Sequence, residues 1–223
     1  MKASAAFVTS AADAAGLPRE GLPELAMVGR SNVGKSSLIN ALVRQKIART
    51  SAEPGKTRLV NFFRVTAGGG PPFFLVDLPG YGYARGASEQ ARRGLTGAKG
   101  RAATSRAFEA ATTAYFRART VPGAVPASVL LLVDSRHPGL EVDRVAWSWL
   151  VDTGLACHVV ATKVDKLTRA ERQRHLRALE TAHDGPVTAV SAATGEGLDE
   201  LWRLIVRLLR QPPPETAPAP PTR

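Results

Sequence analysis

The chain has 223 residues, with 30 lysines and arginines, 19 acidic residues and one cysteine, and its formal charge is +11. This length is enough for one α/β domain with a sizeable core, and a single cysteine excludes an internal disulfide, which suits a reducing cytoplasm. No stretch approaches the roughly 20 apolar residues that span a bilayer, and no secretory leader pattern opens the chain. We therefore expect a cytoplasmic protein without a membrane partner, and the positive charge favours a partner made of RNA.

The chain begins with an alanine-rich arm, residues 1–21, which the sequence leaves open between a packed strand and a loose segment. Residues 25–28 are apolar and predict a buried strand. They are followed by the glycine loop, residues 29–36, which fits the pattern of a glycine, four free positions and then Gly-Lys-Ser. Apolar residues at helical spacing then predict a helix that ends near residue 45.

Strand, glycine loop and helix in this order are the context in which such a pattern binds phosphate. Gly29 and Gly34 let the backbone curl so that successive N–H groups point inward, and the start of the helix adds its positive dipole end. Lys35 is then placed for the β- and γ-phosphates of a nucleotide, and Ser36 for Mg²⁺. The alternative is a glycine-rich turn that Lys and Ser follow by chance.

The polar stretch over residues 46–57 is interpreted as a first switch. It contains Pro54, Gly55, Lys56 and Thr57. A threonine hydroxyl here can join Mg²⁺ only when the loop closes over a triphosphate. The alternative is a simple Pro-Gly turn.

Two strands are predicted next, over residues 59–66 and 73–77, joined by a glycine-proline turn that is typical of a hairpin. Such a pair would be antiparallel, at one edge of an otherwise parallel sheet. The second strand ends in Asp77, which could hold the Mg²⁺ shell through water, and the N–H of Gly80 could sense a γ-phosphate. A strand capped by an Asp turn explains the same residues equally well.

Residues 78–119 are interpreted as a second switch with a basic insertion, and a helix is predicted over residues 103–117. We call residues 85–119 the basic segment, because eight cationic residues face only two glutamates there. A basic surface beside Gly80 would couple nucleotide state to RNA binding, whereas the alternative is a merely soluble loop. The eight cationic residues are Arg85, Arg92, Arg93, Lys99, Arg101, Arg106, Arg117 and Arg119.

The C-terminal half alternates strands (128–134, 156–162, 187–191) with helices (141–153, 169–183, 198–210). This alternation predicts a doubly wound, mostly parallel sheet with helices on both faces and a ligand site at the carboxyl ends of the strands. The proline-rich residues 211–223 follow and are expected to be disordered.

The ends of two of these strands predict recognition of guanine. Residues 162–165 read Thr-Lys-Val-Asp, and the Asp165 carboxylate can accept two hydrogen bonds from guanine, whereas adenine offers no such pair. The last strand ends at Ser191, and the N–H of Ala192 could contact the guanine carbonyl. Each motif alone could be an ordinary strand end, and an ATPase would require Asp165 to be incidental.

Taken in order, these motifs resemble those of a P-loop GTPase (G) domain of the translation-factor class. The residues at the individual motif positions resemble those of the EngB (YihA/YsxC) family. The resemblance lies in residues 29–37, 50–63, 77–84, 134–138 and 162–166, and it covers roughly residues 22–210. From residue 84 to 134 this chain is longer than the family pattern, so no role is carried over within residues 85–126.

Members of that family are bacterial GTPases that assist assembly of the large ribosomal subunit. The resemblance therefore implies that the chain hydrolyses GTP to GDP as a Mg²⁺-dependent switch. It also implies binding to the large subunit, its precursors and ribosomal RNA rather than DNA, and a role in normal cell division and septation. Nothing in the sequence suggests an obligate dimer, and we expect a monomer.

The resemblance also implies roles for single residues. Lys35, Thr57 and Gly80 would be catalytic, and Mg²⁺ would be held by Ser36, Thr57 and, through water, Asp77. The implied nucleotide contacts are Gly29, Arg30, Ser31, Asn32, Val33, Gly34, Lys35, Ser36, Ser37, Pro54, Gly55, Lys56, Thr57, Asp77, Leu78, Pro79, Gly80, Thr162, Lys163, Val164, Asp165, Ser191, Ala192 and Ala193.

Two positions bear on the rate of hydrolysis. Tyr81 stands where many GTPases carry a glutamine that positions the attacking water, so we predict slow intrinsic hydrolysis that an outside element raises. Asn32 resembles the asparagine of potassium-activated GTPases, whose amide oxygen helps to hold K⁺. A local hydrogen bond that braces the loop explains Asn32 equally well.

Two other functions stay open. The chain could be a GTPase in another RNA-related process, which only the resemblance and the basic segment argue against. It could also bind GTP or GDP, hydrolyse it very slowly and act mainly as a binder of RNA or ribosomes, an interpretation that Tyr81 supports.

Overall fold

The computed structural model describes residues 1–48, 59–81, 110–121 and 123–210. In chain order the strands are β1 (Ala3–Ala11), β2 (Glu24–Gly29), β3 (Val60–Ala67), β4 (Phe73–Asp77), β5 (Ala127–Asp134), β6 (Ala156–Thr162) and β7 (Val187–Ala189). The helices are α1 (Lys35–Val43), α2 (Ala110–Arg119), α3 (Glu141–Val151), α4 (Arg169–His183) and α5 (Leu198–Arg210). The strands form one sheet in the order β1-β3-β4-β2-β5-β6-β7.

Five neighbouring strands of this sheet, β4, β2, β5, β6 and β7, run parallel. Every residue of β2, β4 and β5 is buried, as expected for strands that helices cover on both faces. Because the strands are parallel, their carboxyl ends lie at the same edge of the sheet. The predicted doubly wound sheet is confirmed, and the loops that carry the motifs begin at this edge.

β3 is the one strand among those described that runs against the others. It pairs antiparallel with β4, as predicted, from Asn61 opposite Asp77 to Val65 opposite Phe73. It does not lie at the edge of the sheet, because β1 pairs antiparallel along its outer side. The N-terminal arm, which the sequence left open between a strand and a loose segment, therefore supplies the edge strand.

Helices cover both faces of the sheet. On one face α2, α3 and α4 bury Phe116, Leu150 and Leu179 against it. On the other face α1 and α5 bury Ile39 and Trp202. This two-sided burial leaves the carboxyl edge of the parallel strands as the place where loops from both layers meet.

Some predicted element ends differ from the structure by a few residues. Helix α1 ends at Val43 rather than near residue 45, because Arg44 has a left-handed backbone with φ of 54°. Helix α3 ends at Val151 rather than residue 153, where the Thr153 hydroxyl donates to the Leu150 carbonyl at 2.6 Å. Helices α4 and α5 have their predicted bounds, and α2 is described from Ala110 onward.

Parts of the predicted machinery lie outside the described residues. They are the first-switch residues Pro54, Gly55, Lys56 and Thr57, the cationic residues from Arg85 to Arg106, and the proline-rich residues 211–223. Among the helices that are described, none combines the length and the apolar character needed to cross a membrane.

Candidate nucleotide site

The glycine loop connects β2 to α1 at the carboxyl edge of the sheet. Gly34 caps the start of α1 with φ of 107°, a conformation that side chains disfavour. A Cβ added at Gly29 would lie 2.8 Å from Val33 Cγ1 and 3.0 Å from the Leu132 carbonyl oxygen, so only glycine fits. Because α1 begins at Lys35, its unpaired N–H groups and the positive end of its dipole are directed at this loop.

Lys35 and Asp77, the two charged residues assigned to phosphate and Mg²⁺, form an ion pair between Nζ and Oδ1. Both side chains are buried. The structure thus brings the lysine of the glycine loop to the end of β4. Because a buried charge is stable only with a strong partner, an entering phosphate or metal ion would have to replace the contact that each group now has. Ser36 is half-buried in the first turn of α1, and Ser37 is exposed.

The segment after β4 packs directly on the glycine loop. The Tyr81 N–H donates to the Gly29 carbonyl at 3.2 Å, and the Ser31 N–H donates to the Tyr81 carbonyl at 3.3 Å. A Cβ added at Gly80 would lie 2.9 Å from Ser31 Oγ and 3.0 Å from Ser31 N. Gly80 therefore lies against the glycine loop, where a side chain would collide with its backbone. Leu78 is buried, and its N–H donates to the Met27 carbonyl.

The Tyr81 side chain lies in the core with 1% of its surface exposed. Its hydroxyl donates to Oδ1 of Asp143 in the first turn of α3, at 2.8 Å. Burial, followed by the Asp143 charge, raises the pKa of Tyr81 well above its usual value, so the phenol stays protonated. The ring is therefore held in the core against α3, and slow intrinsic hydrolysis stays a prediction.

Asp143 is a residue that the sequence did not single out. Besides Tyr81, it accepts hydrogen bonds from Nε of Arg30, at 3.0 Å to Oδ1 and 3.3 Å to Oδ2. Burial raises the pKa of Asp143, and the Arg30 charge and the Tyr81 hydroxyl act in the opposite direction. Arg30, assigned to the nucleotide, thus directs its side chain to α3, whereas its backbone belongs to the glycine loop.

The end of β6 is tied to the glycine loop. The Thr162 hydroxyl donates to the Val33 carbonyl at 2.7 Å. Lys163 has a left-handed backbone, φ of 61°, and its Nζ donates to the Asn32 carbonyl at 2.6 Å. Val164 is buried. Three of the four residues in this motif therefore hold the end of β6 in place, and two of them attach it to the glycine loop. These contacts fix the position of Asp165 relative to the glycine loop.

Asp165 is held by Ser191 at the end of the last strand. The Ser191 hydroxyl donates to Asp165 Oδ1 at 2.7 Å, and its oxygen accepts the N–H groups of Ala193 and Thr194 at 3.2 and 3.1 Å. The hydrogen bond from Ser191 is the main cause that lowers the pKa of Asp165. The carboxylate is therefore an ionised acceptor with a fixed orientation. The N–H of Ala192, predicted to contact the guanine carbonyl, donates to no backbone carbonyl among the described residues.

Asp134, quoted above only as part of a family motif, anchors the same side of the site. It accepts two hydrogen bonds from the Arg136 guanidinium, at 2.9 and 2.7 Å, and one from Lys163 Nζ at 3.0 Å. Burial alone would raise the pKa of Asp134, but these hydrogen bonds outweigh it and hold the pKa well below its usual range. The lysine of the guanine motif is thereby fixed from two directions.

Asn32 is exposed at the tip of the glycine loop with φ of 63°. Its carbonyl accepts the hydrogen bond from Lys163. Its side chain makes no hydrogen bond to any other residue that the structure describes. The local hydrogen bond that would brace the loop through the Asn32 side chain is therefore not found among those residues.

Comparison with known proteins identifies the family. A family model described as "50S ribosome-binding GTPase" matches residues 24–163. The GTP-binding protein EngB of Pelotomaculum thermopropionicum is 42% identical over 211 residues, which cover 92% of this chain and 94% of the relative. The EngB protein of Clostridioides difficile is 38% identical and covers 93% of this chain and 94% of its own length. The chain belongs to the EngB family of GTP-binding proteins.

Solved structures agree with an EngB fold. A crystal structure of an EngB GTP-binding protein superimposes with a TM-score of 0.58 at 20% identity, over 84% of this chain and 98% of that one. Era from Aquifex aeolicus, bound to GDP and aluminium fluoride, gives a TM-score of 0.65 at 20% identity, over 86% of this chain and 58% of that one. Identities at this level show the fold alone.

Membership of the EngB family makes the chain a P-loop GTPase that binds GTP and hydrolyses it to GDP. We call Asp165, Ser191 and the Lys163–Asp134 anchor, which the sequence assigns to guanine, the guanine end of the candidate site. We call the glycine loop, Lys35, Asp77 and Gly80, which the sequence assigns to phosphate and Mg²⁺, its phosphate end. Both ends lie at one edge of the sheet, so one bound nucleotide could reach both.

One prediction for the basic segment of this EngB-family chain is wrong. Arg119 was counted on a surface for RNA, but it is buried and its guanidinium forms two hydrogen bonds with Glu24, at 2.9 and 2.7 Å. Glu24 begins β2, at the opposite end of the strand from the glycine loop. Arg119 therefore belongs to the core because Glu24 is also buried and needs a cation. Arg117, two residues earlier, is exposed.

Proposed function

We propose that this EngB-family GTPase acts in the cytoplasm as a nucleotide-gated switch that assists assembly of the large ribosomal subunit. The observation that carries the nucleotide part is the position of Asp165, which Ser191 holds at the same sheet edge as Lys35 and Gly80. A carboxylate fixed there matches guanine, and a lysine in a glycine loop matches phosphate. The same role would make the protein necessary for normal cell division.

In this proposal the nucleotide binds across both ends of the site. The ion pair between Lys35 and Asp77 breaks, and Lys35 then contacts the β- and γ-phosphates. Asp77 would hold Mg²⁺ through water. Ser36 and, from the first switch, Thr57 supply hydroxyl ligands, a donor set of oxygens that suits Mg²⁺. When Mg²⁺ is bound it neutralises charge on the phosphates, and the Gly80 N–H contacts the γ-phosphate.

Hydrolysis is slow until another element helps it. The buried Tyr81 ring leaves the in-line water without a side chain from this position. We propose K⁺, held partly by Asn32, as one such element. Turnover at equal ionic strength should be higher in KCl than in NaCl, and an Asn32→Ala variant should remove the difference. Equal rates for the unchanged protein in both salts would rule out K⁺ activation.

Two observations favour the ribosome as the partner, the net charge of the chain and the family model that it matches. A net charge of +11 attracts ribosomal RNA through phosphate contacts and counterion release. The matching family model is described as a 50S ribosome-binding GTPase. A monomer is proposed as the active form.

A second candidate function rests on Tyr81. Tyr81 replaces the glutamine that positions water in many GTPases. The protein could therefore act mainly as a GTP- or GDP-dependent binder of RNA or ribosomes, with hydrolysis too slow to control its binding and release. A structure of Era is described as a complex with part of 16S ribosomal RNA, so a GTPase acting on another RNA is the related alternative.

Pelleting with ribosomal particles tests these proposals. The full chain, loaded with GDP or a non-hydrolysable GTP analogue, is sedimented with 50S subunits, 50S precursors and 30S subunits at two salt concentrations. Binding to 50S particles that the GTP form favours and that survives moderate salt would support an assembly switch. Binding that ignores the nucleotide, prefers 30S particles or vanishes with salt would contradict it.

A matched pair of variants locates the RNA-facing surface. Arg117→Glu reverses an exposed charge on α2, and Arg203→Glu reverses an exposed charge on α5, on the opposite face of the sheet. When an arginine that binds a phosphate group of RNA is replaced, the salt dependence of binding should fall by about one unit of slope. We expect this reduction for Arg117→Glu only.

A further inference from the structure

Three side chains from three separate segments meet at the start of α3. Asp143 accepts a hydrogen bond from the Tyr81 hydroxyl at 2.8 Å, and Nε of Arg30 donates to both of its carboxylate oxygens. Arg30 lies in the glycine loop, and Tyr81 directly follows the glycine that is assigned to the γ-phosphate. We call this set the Asp143 cluster.

The Asp143 cluster is buried. Asp143 has 2% and Tyr81 1% of its surface exposed, and the side chain of Arg30 is 25% exposed. A carboxylate at this depth is stable only when charged and hydrogen-bonding donors surround it. Tyr81 and Arg30 supply those donors, so both are joined through one carboxylate.

Backbone contacts join the same two segments. The N–H and the carbonyl of Tyr81 bond to Gly29 and Ser31, at 3.2 and 3.3 Å. Gly80 has no space for a side chain above Ser31. The peptide between Gly80 and Tyr81 is therefore held on one side by the glycine loop and on the other, through the Tyr81 ring, by α3.

We propose that Asp143 is a positioning residue of this GTPase, which holds the Gly80 peptide against the glycine loop and thereby raises the affinity for GTP relative to that for GDP. Asp143 touches no phosphate in this proposal and acts through Tyr81 and Arg30. The inference rests on the proposed contact between Gly80 and the γ-phosphate. Because GDP has no γ-phosphate, the contacts that hold Gly80 in place would contribute to binding of GTP only.

A purely structural role for Asp143 makes a different prediction. If the cluster only joined α3 to the sheet, breaking it would lower the unfolding temperature and leave the ratio of GTP to GDP affinity unchanged. If it positions Gly80, breaking it shifts that ratio while GDP affinity stays nearly constant. The affinity ratio therefore separates the two roles, which stability alone cannot do.

The decisive experiment compares two tyrosine variants of the full chain. Tyr81→Phe removes only the hydroxyl that donates to Asp143. Tyr115→Phe removes the hydroxyl of another buried tyrosine, which lies near Glu24, at the opposite end of β2 from the glycine loop. Binding of a non-hydrolysable GTP analogue and of GDP is measured with Mg²⁺, together with kcat and KM for GTP.

The expected result is a roughly 3- to 10-fold loss of analogue affinity in Tyr81→Phe, which corresponds to the net contribution of one typical hydrogen bond. Its GDP affinity and both affinities of Tyr115→Phe should stay within about twofold of the unchanged protein. An Asp143→Ala variant should show the larger shift, and adding Tyr81→Phe to it should change nothing further.

Two results would overturn the inference. One is an equal loss of both affinities in Tyr81→Phe, and the other is no change in either affinity. Failure of the proposed function would look different, because the unchanged protein would then fail to bind guanine nucleotides with Mg²⁺ before any variant is compared.

Discussion

The guanine end and the phosphate end of the site are built in different ways. At the guanine end, Asp165 is oriented by the Ser191 hydroxyl, whose own position is fixed by two backbone N–H groups. At the phosphate end, Lys35 and Asp77 are buried and hold each other. In the proposed function the guanine end would therefore have its recognising carboxylate already oriented, whereas the phosphate end would have to exchange an internal ion pair for contacts with its ligand.

This difference has a thermodynamic consequence. Contacts at the guanine end are common to GTP and GDP, so changes there should weaken both nucleotides by the same factor. Contacts at the phosphate end differ between the two nucleotides, because only GTP has a γ-phosphate. The ratio of the two affinities is thus the measurement that tells the ends apart.

The largest expected effect comes from breaking the phosphate end. Lys35→Met keeps an unbranched side chain that is one atom shorter and removes its charge. We expect GTP affinity and kcat to fall by about 100-fold or more, since a preorganised cation is removed from the place where phosphate charge develops. GDP affinity should fall less. Fluorescent-nucleotide titration and single-turnover hydrolysis measure these changes.

The control for Lys35→Met separates binding from folding. Loss of Lys35 leaves the Asp77 carboxylate buried without its cation, which should reduce the free energy of unfolding by about 3–5 kcal/mol. Adding Asp77→Asn should recover much of that stability without restoring nucleotide binding. Recovery of binding in the double variant would mean that Lys35 acts through the fold alone.

A smaller effect is expected from Ser191→Ala at the guanine end. The substitution removes the donor that orients Asp165 and the acceptor for the Ala193 and Thr194 N–H groups. We expect GTP and GDP affinity to fall together by roughly 10-fold, from the loss of about 1–2 kcal/mol of hydrogen bonding. Ser148→Ala, an exposed serine on α3, is the matched control. A change confined to one nucleotide would contradict the division into two ends.

The sequence predicted those features whose signals are close together along the chain. Helix α4 was predicted with its observed bounds, and its start is fixed by a capping box between Thr168 and Glu171, three residues apart. The glycine loop and the Thr-Lys-Val-Asp motif were found because their chemistry requires fixed spacing over a few residues. Local signals of this kind are enough for the fold class and for most of the candidate site.

The supports of the site depend on partners far away in sequence. Asp143 lies 62 residues from Tyr81 and 113 from Arg30, and Arg119 lies 95 residues from Glu24. No local pattern separates Arg119 from the exposed Arg117, because both are arginines on one helix. Only the packing of α2 against the sheet decides which of them is buried, and so the sequence assigned both to the surface.

The smallest effect concerns the acid stability of the guanine end. Hydrogen bonds from Arg136 and Lys163 outweigh burial and hold the pKa of Asp134 below its unfolded value. A lowered pKa adds stability that is present above the unfolded pKa of about 4 and is lost as pH falls through the folded pKa. Because Arg136 is 42% exposed, solvent screening limits the contribution to about 1–2 kcal/mol.

Asp134→Asn should therefore lower the free energy of unfolding at neutral pH, and its difference from the unchanged protein should shrink below about pH 4. Urea unfolding without added nucleotide, at a series of pH values, measures this difference. Asp152→Asn, an exposed carboxylate after α3, is the control and should show no such trend. A difference that stays constant with pH would mean that Asp134 stabilises the fold through packing rather than through its charge. The ion pair between Lys163 and Asp134 would then contribute nothing to stability.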